Sequence, residues 1–435
     1  MLVQGPSRFQ GHSCDMLDRR EFMKAAAGLA VAAQKVVRIG MVGVGSRGTA
    51  LLRNFLDLPG VQIPAICDIN EASLKRGQGI VEKTGQKRPE GYSSGVEDFR
   101  RMVTREDLDA VVTATPWEWH APVAVAAMRA GKYAAVEVPA AITLEECWDL
   151  VNTSEQTGMP CMLLENVCYF RNVLMVLNMI RQGVLGELIH AEAGYQHDVR
   201  GGKVLPTGDL RWRGMHSTTR DANVYPTHPI GPVAWWMNIN RGDRFTHLVS
   251  MSTKSRGINN YVRKRFGPDH PNAKRQFAQG DINTSLIRTA NGLTVTLYHD
   301  TNLPRPYDLI LRVQGTEGIY SGTLEKIYIE GRSPKAHTWE DAERYYAQYE
   351  HPIWKTLGET AKKYGHGGGD YIELDQFVKA VRNKTQTPID VYDAATWSVI
   401  TPLTERSAAS RSAAVDFPDF TRGKWKTARP VNVEA

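Results

Sequence analysis

Hydrophobic and polar positions follow two different rhythms along this chain, and the change comes near Gly186. Before that point, short apolar runs alternate with longer stretches whose apolar residues recur at helical spacing. The apolar runs predict strands at Val36–Val42, Val61–Asp68, Asp109–Thr115, Tyr133–Val138 and Cys161–Glu165. The periodic stretches predict helices at Thr49–Phe55, Asn70–Lys83, Ala121–Ala130 and Leu144–Thr157. Strands and helices in this alternation are typical of an α/β domain with a parallel, doubly wound sheet.

After Gly186 the apolar residues mostly alternate with polar ones, which is the rhythm of strands exposed on one face. Strands are predicted at Glu187–Tyr195, Thr246–Thr253, Asp281–Thr289, Leu293–His299 and Asp308–Gln314. Helical patterns at Asp370–Val381 and Ala394–Ser407 predict closing helices that pack on either domain. The sequence therefore predicts a first domain over residues 35–166 and an α+β domain with an open, largely antiparallel sheet over residues 167–435.

Residues 1–34 have the pattern of an export segment rather than of a folded element. Arg19 and Arg20 precede a short run of small apolar residues, Ala25–Ala33, which is too short to span a bilayer. This pattern is similar to a twin-arginine signal, and it predicts a periplasmic or secreted bacterial protein. The alternative is an ordinary terminus with a chance pair of arginines.

Composition excludes several classes of protein. The chain has 435 residues, is 42% hydrophobic and carries a formal charge of +6 without a sustained basic block, so we expect no nucleic-acid partner. Its five cysteines form no CxxC pair, which favours reduced, mostly buried thiols over a metal site or disulfides. No apolar run after residue 34 is long enough to predict a membrane span. The sequence leaves open whether the protein forms a homo-oligomer.

A glycine motif follows the first predicted strand and precedes the first predicted helix. It runs Gly43-Val44-Gly45-Ser46-Arg47-Gly48, and in this context it is the dinucleotide fingerprint of a Rossmann domain. Asp68 ends the second strand, where an acid binds the ribose 2′-hydroxyl of NAD. Arg47 nearby leaves NADP as an alternative.

Two further segments should lie at the carboxyl edge of the same sheet, where such folds bind their ligands. Trp117, Glu118, Trp119 and His120 follow the third strand and suit a wall beside a nicotinamide ribose, although core packing of both tryptophans is the alternative. Glu137-Val138-Pro139 lies at the end of the next predicted strand, where a nicotinamide-dependent sugar oxidoreductase would be expected to have Glu-Lys-Pro. The missing lysine predicts chemistry other than simple net oxidation.

Candidate proton-transfer groups end other strands. Tyr195 and His197 share one face of a strand, and side by side they suit proton removal from a sugar hydroxyl or an acidified C–H. Structural roles in the sheet are equally compatible with their spacing. Glu165 and Asn166 end the last strand of the first domain and should face the same crevice.

A long, poorly periodic segment, Arg200–Pro232, carries hydrogen-bonding and aromatic side chains that suit a sugar. Its candidates are Arg213 and the run Tyr225, Pro226, Thr227 and His228, and Tyr307 lies where it would close the pocket. The glycine-rich run Gly365–Asp370 lacks the Lys-Ser/Thr of a P-loop, and we interpret it as a flexible connection into a helix.

Together these segments resemble glycoside hydrolase family 109, the NAD-dependent α-N-acetylgalactosaminidases on the glucose–fructose oxidoreductase-like fold. The resemblance covers nearly all of the chain after the export segment, and it rests on several segments in the same order. They are the glycine motif, Pro116–His120, Glu145–Trp148, Glu165–Tyr169, Tyr195–Asp198, Tyr225–His228, His299–Thr301 and Arg305–Tyr307.

The resemblance implies roles for individual residues. Those that would contact NAD are Ser46, Arg47, Asp68, Trp117, Glu118, Trp119, His120, Glu137, Val138 and Asn166. Those that would contact the sugar are Tyr195, Arg213, Tyr225, Pro226, Thr227, His228 and Tyr307.

The implied reaction has no net redox change. Tightly held NAD⁺ takes hydride from C3, a base removes the C2 proton, the C1–aglycone bond breaks, water adds, and hydride returns. The candidate proton-transfer residues are Tyr195, His197, Glu165 and His228. A sugar dehydrogenase, with His228 or Tyr195 replacing the lysine, and a non-catalytic sugar-binding protein are the alternative hypotheses.

Overall fold

Two β-sheets organise residues 35–434, the part of the chain that the computed structural model describes. The predicted export segment, residues 1–34, lies outside the described residues. From Val37 onward the chain forms one compact unit, and the predicted domain division at residue 166 remains a prediction.

The first sheet has six parallel strands in the order β3-β2-β1-β4-β5-β6. Its strands are β1 Val37–Val42, β2 Val61–Cys67, β3 Glu90–Tyr92, β4 Ala110–Thr113, β5 Tyr133–Val136 and β6 Cys161–Leu163. This order, with crossovers on both sides of β1, confirms the predicted doubly wound sheet. The sequence pattern missed β3, because this edge strand has only three residues and buries only one of them.

The helices that cross over between these strands lie at Ser46–Leu56, Glu71–Glu82, Phe99–Val103, His120–Arg129 and Leu144–Thr157. The bounds of the last helix equal those predicted, because both of its ends carry sequence markers. Thr143 and Glu146 form a capping box at its start, and Gly158 ends it with a φ of 70°.

The second sheet has nine strands in the order β14-β13-β12-β11-β7-β10-β9-β8-β15. They are β7 Leu188–Gln196, β8 Phe245–Ser252, β9 Ile282–Thr289, β10 Thr294–Asp300, β11 Arg312–Gly315, β12 Gly318–Ser321, β13 Lys326–Ile329, β14 Glu340–Asp341 and β15 Val415–Asp416. The pair β7–β10 is parallel and the other pairs are antiparallel. The predicted open, largely antiparallel sheet is confirmed.

Two predictions within this region were wrong. The strand predicted at Asp308–Gln314 begins only at Arg312, because Ile310 and Leu311 have φ values of 61° and 47°, which no extended strand accepts. The segment predicted as a loop, Arg200–Pro232, contains helices.

Those helices are Arg200–Lys203, Trp212–Thr219 and Thr227–Trp236. The first two are short, and the third is buried around nearly its whole circumference. A helix buried on all sides has no polar face and therefore no amphipathic pattern to detect.

The remaining helices are Arg171–Arg181, Gly257–Phe266, Pro271–Lys274, Tyr346–Tyr349, Pro352–Ala361, Gly369–Asn383, Val391–Ser398 and Ile400–Ala409. The predicted helix Ala394–Ser407 is thus two helices, since Pro402 has no N–H to donate to the carbonyl of Ser398. Within residues 35–434, no helix combines the length and the apolar character needed to cross a bilayer.

The helix Gly369–Asn383 packs against the first sheet, although it lies far along the chain. Phe377 contacts Phe55 of the helix Ser46–Leu56, with ring centroids 6.4 Å apart. The helix Val391–Ser398 packs on β6 and on Leu144–Thr157, whereas Ile400–Ala409 packs on β8. The C-terminal helices therefore contact both sheets.

Cys67, Cys147, Cys161 and Cys168 are buried free thiols, as the absence of paired cysteine motifs predicted. Burial raises the pKa of Cys67 and Cys161 to about 12, so these thiols stay protonated and unreactive. Cys14 lies outside the described residues.

Candidate functional site

The glycine motif forms a tight turn between β1 and the helix Ser46–Leu56. Gly43 has a φ of 79°, and a Cβ there would lie 2.9 Å from the carbonyl oxygen of Ala114. A Cβ on Gly48 would lie 1.9 Å from the carbonyl oxygen of Gly43, so strand and helix meet too closely for any side chain. A Cβ on Gly45 would meet nothing within 4 Å. Open space at this turn fits a pyrophosphate close to the backbone.

Asp68 follows β2 with its carboxylate fixed by the backbone. One oxygen accepts a hydrogen bond of 2.8 Å from the N–H of Val44, and the other accepts one of 2.8 Å from the N–H of Asn70. Each oxygen keeps a lone pair for a ribose hydroxyl. Together with the open glycine turn, this geometry fits a bound dinucleotide.

A cavity of about 700 Å³ extends from this turn along the carboxyl edge of the first sheet. Its walls include most residues predicted to contact NAD: Gly43, Gly45, Ser46, Arg47, Asp68, Trp117, Glu118, Trp119, His120, Glu137, Val138 and Asn166. Gly48 does not line the cavity; its contact with Gly43 is one of packing.

Arg47 connects the glycine turn to a distant helix. Its guanidinium donates to Glu137 at 2.5 Å and to both oxygens of Asp370, at 2.7 and 3.1 Å. Asp370 also accepts a 2.7 Å hydrogen bond from the side-chain amide of Asn166. The charge of Arg47 is thus balanced by two carboxylates, which disfavours a role in binding a 2′-phosphate.

Asp370 stays ionised in this cluster. Burial alone would raise its pKa, but hydrogen bonds from His366 and Arg47 outweigh burial and hold the pKa well below its usual range. The carboxylate of Asp370 therefore stays available as a hydrogen-bond acceptor for Arg47, Asn166 and His366.

Val138 occupies the position where a sugar oxidoreductase would have its lysine, and it lines the cavity. Its side chain is almost fully buried and offers no proton. The neighbouring Glu137 has its carboxylate engaged by Arg47, at 2.5 Å, and by the N–H of Val138, at 3.2 Å. A side chain that transfers a proton in this cavity therefore has to belong to another segment of the chain.

The loop after β4 builds an aromatic wall, but its histidine has a structural role. The ring nitrogens of His120 lie 2.7 and 2.9 Å from the carbonyl oxygens of Pro139 and Thr115, and burial lowers its pKa. Trp117 packs on Tyr225, with ring centroids 5.7 Å apart. The predicted wall is present, and His120 holds it in place.

Tyr195 and His197 are in direct contact, with 3.0 Å between the phenol oxygen and Nδ1. Burial raises the pKa of Tyr195 to about 12 and lowers that of His197. The phenol therefore holds its proton, while the imidazole is neutral and able to accept one. Tyr307 packs on both rings, with centroids 6.1 and 4.9 Å away, so the three residues form one edge of the site.

His228 and Glu165 form a second hydrogen-bonded pair. Nδ1 of His228 lies 2.7 Å from a carboxylate oxygen of Glu165, which is fully buried. Among residues 35–434, the other oxygen of Glu165 has no hydrogen-bond partner. Glu165 does not line the cavity and reaches it only through its contact with His228, whose Nε2 remains for a ligand.

Of the other residues predicted to contact the sugar, Arg213 and Tyr225 line the cavity, whereas Pro226 and Thr227 do not. Arg213 stands 5.2 Å from the ring centroids of both Trp117 and Tyr225. Arg213 and Tyr225 line the cavity of about 700 Å³. Pro226 and Thr227 line no described cavity, because they begin the buried helix that presents His228.

A second, larger cavity of about 1070 Å³ adjoins the first at Tyr195 and His228. The two cavities share Asn166, Tyr195, His228 and His366. The outer walls of the larger cavity are mostly polar and aromatic: Arg171, Asn172, Tyr307, Tyr320, Glu325, Lys326, Asp341, Glu343 and Tyr346. This shape fits a glycan that reaches toward a dinucleotide.

The sequence interpretation missed several charged residues at the site. His366 and Asp370 belong to the glycine-rich run that does lead into a helix, yet His366 also lines both cavities. Lys203 is buried, and burial lowers its pKa to about 7. It donates to Asn302 and Thr301, at 2.7 and 2.8 Å. Nothing in local spacing distinguishes these residues from ordinary surface charges.

Comparison with known proteins agrees with this geometry. Residues 37–164 match the model "Oxidoreductase family, NAD-binding Rossmann fold", and residues 169–427 match "Glycosyl hydrolase 109, C-terminal domain". An α-N-acetylgalactosaminidase of Tannerella forsythia is 48% identical over 91% of this chain and 88% of its own length. A glycosyl hydrolase family 109 protein of Stenotrophomonas maltophilia is 44% identical over 95% and 98%.

Solved structures share the fold at lower identity. A levoglucosan dehydrogenase in complex with NADH and L-sorbose matches with a TM-score of 0.68 and 20% identity over 88% of this chain and 99% of its own. The family resemblance and the NAD cofactor are therefore confirmed. The chain belongs to glycosyl hydrolase family 109 and is an NAD-dependent glycoside hydrolase.

Proposed function

We propose that this protein hydrolyses terminal α-N-acetylgalactosaminides in a cycle that leaves NAD unchanged overall. The observation that carries the proposal is that the two cavities meet at Tyr195 and His228, and that Val138 lines the smaller one in place of the expected lysine. The relative from Tannerella forsythia bears the name of this activity, which supports the choice of sugar.

When bound, NAD supplies a reversible hydride acceptor for C3 of the sugar. The protein has to manage two protons: one on the C3 hydroxyl and one on C2, which becomes acidic once C3 is a ketone. The site contains two hydrogen-bonded side-chain pairs, Tyr195–His197 and His228–Glu165, and each pair can accept one of these protons. No pair of carboxylates flanking the glycosidic bond is then needed, since NAD-dependent glycosidases are an exception to that requirement.

The Tyr195–His197 pair suits the hydroxyl proton. A phenol is both donor and acceptor, so it can take the proton of the sugar hydroxyl as it passes its own to the neutral imidazole. The His228–Glu165 pair suits the C2 proton, because the carboxylate orients the ring and stabilises the imidazolium that forms. Both assignments belong to the proposal.

The deciding experiment measures aglycone release and reduced NAD in the same assay. The purified protein is incubated with a chromogenic α-N-acetylgalactosaminide and no added cofactor. Aglycone release without accumulation of NADH is expected. NADH accumulation without release would instead indicate a sugar dehydrogenase, and silence in both measurements across a panel of sugars would indicate a binding protein.

The proposal extends to the place of action. Arg19 and Arg20, followed by a short apolar run, support export as a folded protein by a twin-arginine route. Such a route would let NAD bind before the protein leaves the cytoplasm, so that the hydrolase meets extracytoplasmic glycans already loaded.

A further inference from the structure

A small lobe beside the glycan site has a hydrophobic core of its own. Its buried residues are separate from the main core of the protein: Val204, Ile258, Val262, Ala273 and Phe277. The helices Gly257–Phe266 and Pro271–Lys274 pack on each other and supply most of this cluster. None of the roles described above uses this lobe.

The net positive charge of the protein is concentrated on this lobe. Residues 254–275, which we call the basic lobe, contain seven Lys or Arg residues and a single acid, Asp269. This excess of six positive charges equals the formal charge of the whole chain, +6, so the rest of the chain has as many acidic as basic residues. All seven cationic residues are exposed: Lys254, Arg256, Arg263, Lys264, Arg265, Lys274 and Arg275.

Neighbouring acids do not neutralise these cations. Within residues 35–434, Lys274 is the only one of the seven that forms an ion pair, with Asp269 at 2.8 Å. By contrast, the exposed Arg100 of the first domain pairs with Glu97 at 3.3 Å. Unpaired charges of one sign on a small surface produce a local positive potential, which attracts anions.

Helix stability explains only part of this charge. Arg263, Lys264 and Arg265 lie in the last turn of their helix, where cations interact favourably with the helix dipole. Arg256 immediately precedes the first turn of the same helix, where the dipole disfavours a cation. Lys254 also precedes this helix. A surface that is basic at both ends of one helix therefore fits an anionic partner.

The basic lobe adjoins the glycan site. Arg200 stands 5.2 Å from the ring centroid of Tyr261 in the lobe, and it pairs at 2.7 Å with Asp198. Asp198 directly follows His197, which lines the larger cavity. Val204, from the same segment, packs in the core of the lobe. The lobe is therefore attached to a segment that lines the larger cavity.

The side chains of the lobe favour an anionic glycan over a lipid bilayer or a single-stranded nucleic acid. Stable attachment to a bilayer needs apolar side chains that insert beside the cations, but no large hydrophobic residue is exposed between residues 254 and 275. Stacking of bases needs exposed aromatic rings, whereas Tyr261 and Phe266 pack against the core of the lobe. Sulfate and carboxylate groups need only cationic hydrogen-bond donors.

We propose that the basic lobe binds sulfated or carboxylated segments of the glycans whose terminal sugar this protein hydrolyses. The lobe holds such a chain by charge and so keeps its ends close to the cavity. A small neutral substrate does not reach the lobe and gains nothing from it. The identity of the glycan as substrate rests on the proposed function, whereas binding to the lobe is measured without hydrolysis.

The test removes three neighbouring cations together, as Arg263→Gln, Lys264→Gln and Arg265→Gln in one variant. The probe is fluorescently labelled chondroitin sulfate, and its binding is measured by anisotropy. At low ionic strength we expect the variant to bind about 10–100-fold more weakly than the parent. Binding by the parent should weaken as NaCl is added, because salt screens exposed charges. The midpoint of thermal unfolding and the hydrolysis of 4-nitrophenyl α-N-acetylgalactosaminide should equal those of the parent.

Lys83→Gln, Lys87→Gln and Lys355→Gln, combined in one variant, are the matched control. These three lysines are also exposed but lie outside the basic lobe. Their replacement removes the same net charge, and we expect binding within about 2-fold of the parent, because a local potential depends on the clustering of charges.

Four outcomes decide the inference. Equal weakening in both variants would make binding a property of net charge and would overturn it, as would a parent that does not bind chondroitin sulfate. Tighter binding of duplex DNA or of phosphatidylserine vesicles than of chondroitin sulfate would assign the lobe to another class of partner and overturn it as well. A parent that binds chondroitin sulfate through the lobe but hydrolyses no α-N-acetylgalactosaminide would support the binding surface and overturn only the proposed function.

Discussion

Tyr195 and His197 differ in how readily they ionise, and that difference makes them useful as a pair. Burial keeps the phenol of Tyr195 protonated and the imidazole of His197 neutral. When the phenol receives a proton from the sugar, it can therefore pass its own proton to the imidazole. Neither residue alone offers a sugar hydroxyl both an acceptor and a route for its proton.

Tyr195→Phe and His197→Ala should therefore each lower the rate of hydrolysis about 10²–10⁴-fold, the usual contribution of a positioned acid or base. NAD content and folding should stay near those of the parent, because neither side chain belongs to the glycine turn or to the first sheet. Tyr328→Phe, on β13 and outside both cavities, is the control. Rates close to the parent in both variants would assign the hydroxyl proton elsewhere.

The His228–Glu165 pair makes a different prediction, which follows the hydrogen on C2. Hydrolysis in deuterium oxide should give product labelled at C2, because the proton removed there is replaced from solvent. Glu165→Gln should slow label incorporation and hydrolysis together, since the neutral amide no longer stabilises the imidazolium. Mass spectrometry of the released sugar measures the label, and unlabelled product would exclude elimination.

At the scale of elements, the helix Gly369–Asn383 serves the site and the core at once. Asp370 in its first turn binds Arg47, and Phe377 packs on Phe55. Between them, Glu373 is fully buried, and in the part of the chain that the structure describes neither of its oxygens has a hydrogen-bond partner. Burial raises the pKa of Glu373 well above its usual value, which favours the protonated, neutral form of this side chain.

Prediction from sequence succeeded where an element carries its own markers. The helix Leu144–Thr157 has a capping box and a terminal glycine, and its bounds agree with those predicted. The helix Thr227–Trp236 was missed, because burial on all sides removes the polar face. The spacing of Tyr195 and His197 predicted their contact. Local spacing alone does not predict that Glu165 and His228, 63 positions apart, hydrogen-bond to each other.

The glycine turn gives the element-scale prediction. Gly48→Ala should lower the amount of bound NAD and the midpoint of thermal unfolding, because the new Cβ would force the helix away from the backbone of Gly43. Gly79→Ala is the control, since a Cβ there meets nothing within 4 Å and favours its helix. Undiminished NAD in the Gly48 variant would contradict the close approach.

For the whole molecule, the first prediction concerns retention of NAD. A cofactor that is restored in every cycle has no need to leave, and the cavity that holds it is bounded by residues from both halves of the chain. Protein purified without added nucleotide and then denatured should release stoichiometric NAD, measured by an enzymatic cycling assay. Full activity in nucleotide-free protein would defeat this expectation.

The second prediction for the whole molecule concerns export. Replacing Arg19 and Arg20 with lysine should leave the folded, loaded protein in the cytoplasm, because the twin-arginine route depends on the arginine pair. Fractionation and immunoblotting of the producing bacterium would show the change. Unchanged export would point to another route or to no export signal.

The contact between Arg47 and Asp370 joins positions 323 apart in the chain, and synthesis on the ribosome proceeds from the first to the second. When the glycine turn emerges, the carboxylate that will fix Arg47 has not yet been made. The cofactor site is therefore completed only after residue 370 has been synthesised. We expect tight binding of NAD only in chains that extend beyond that residue.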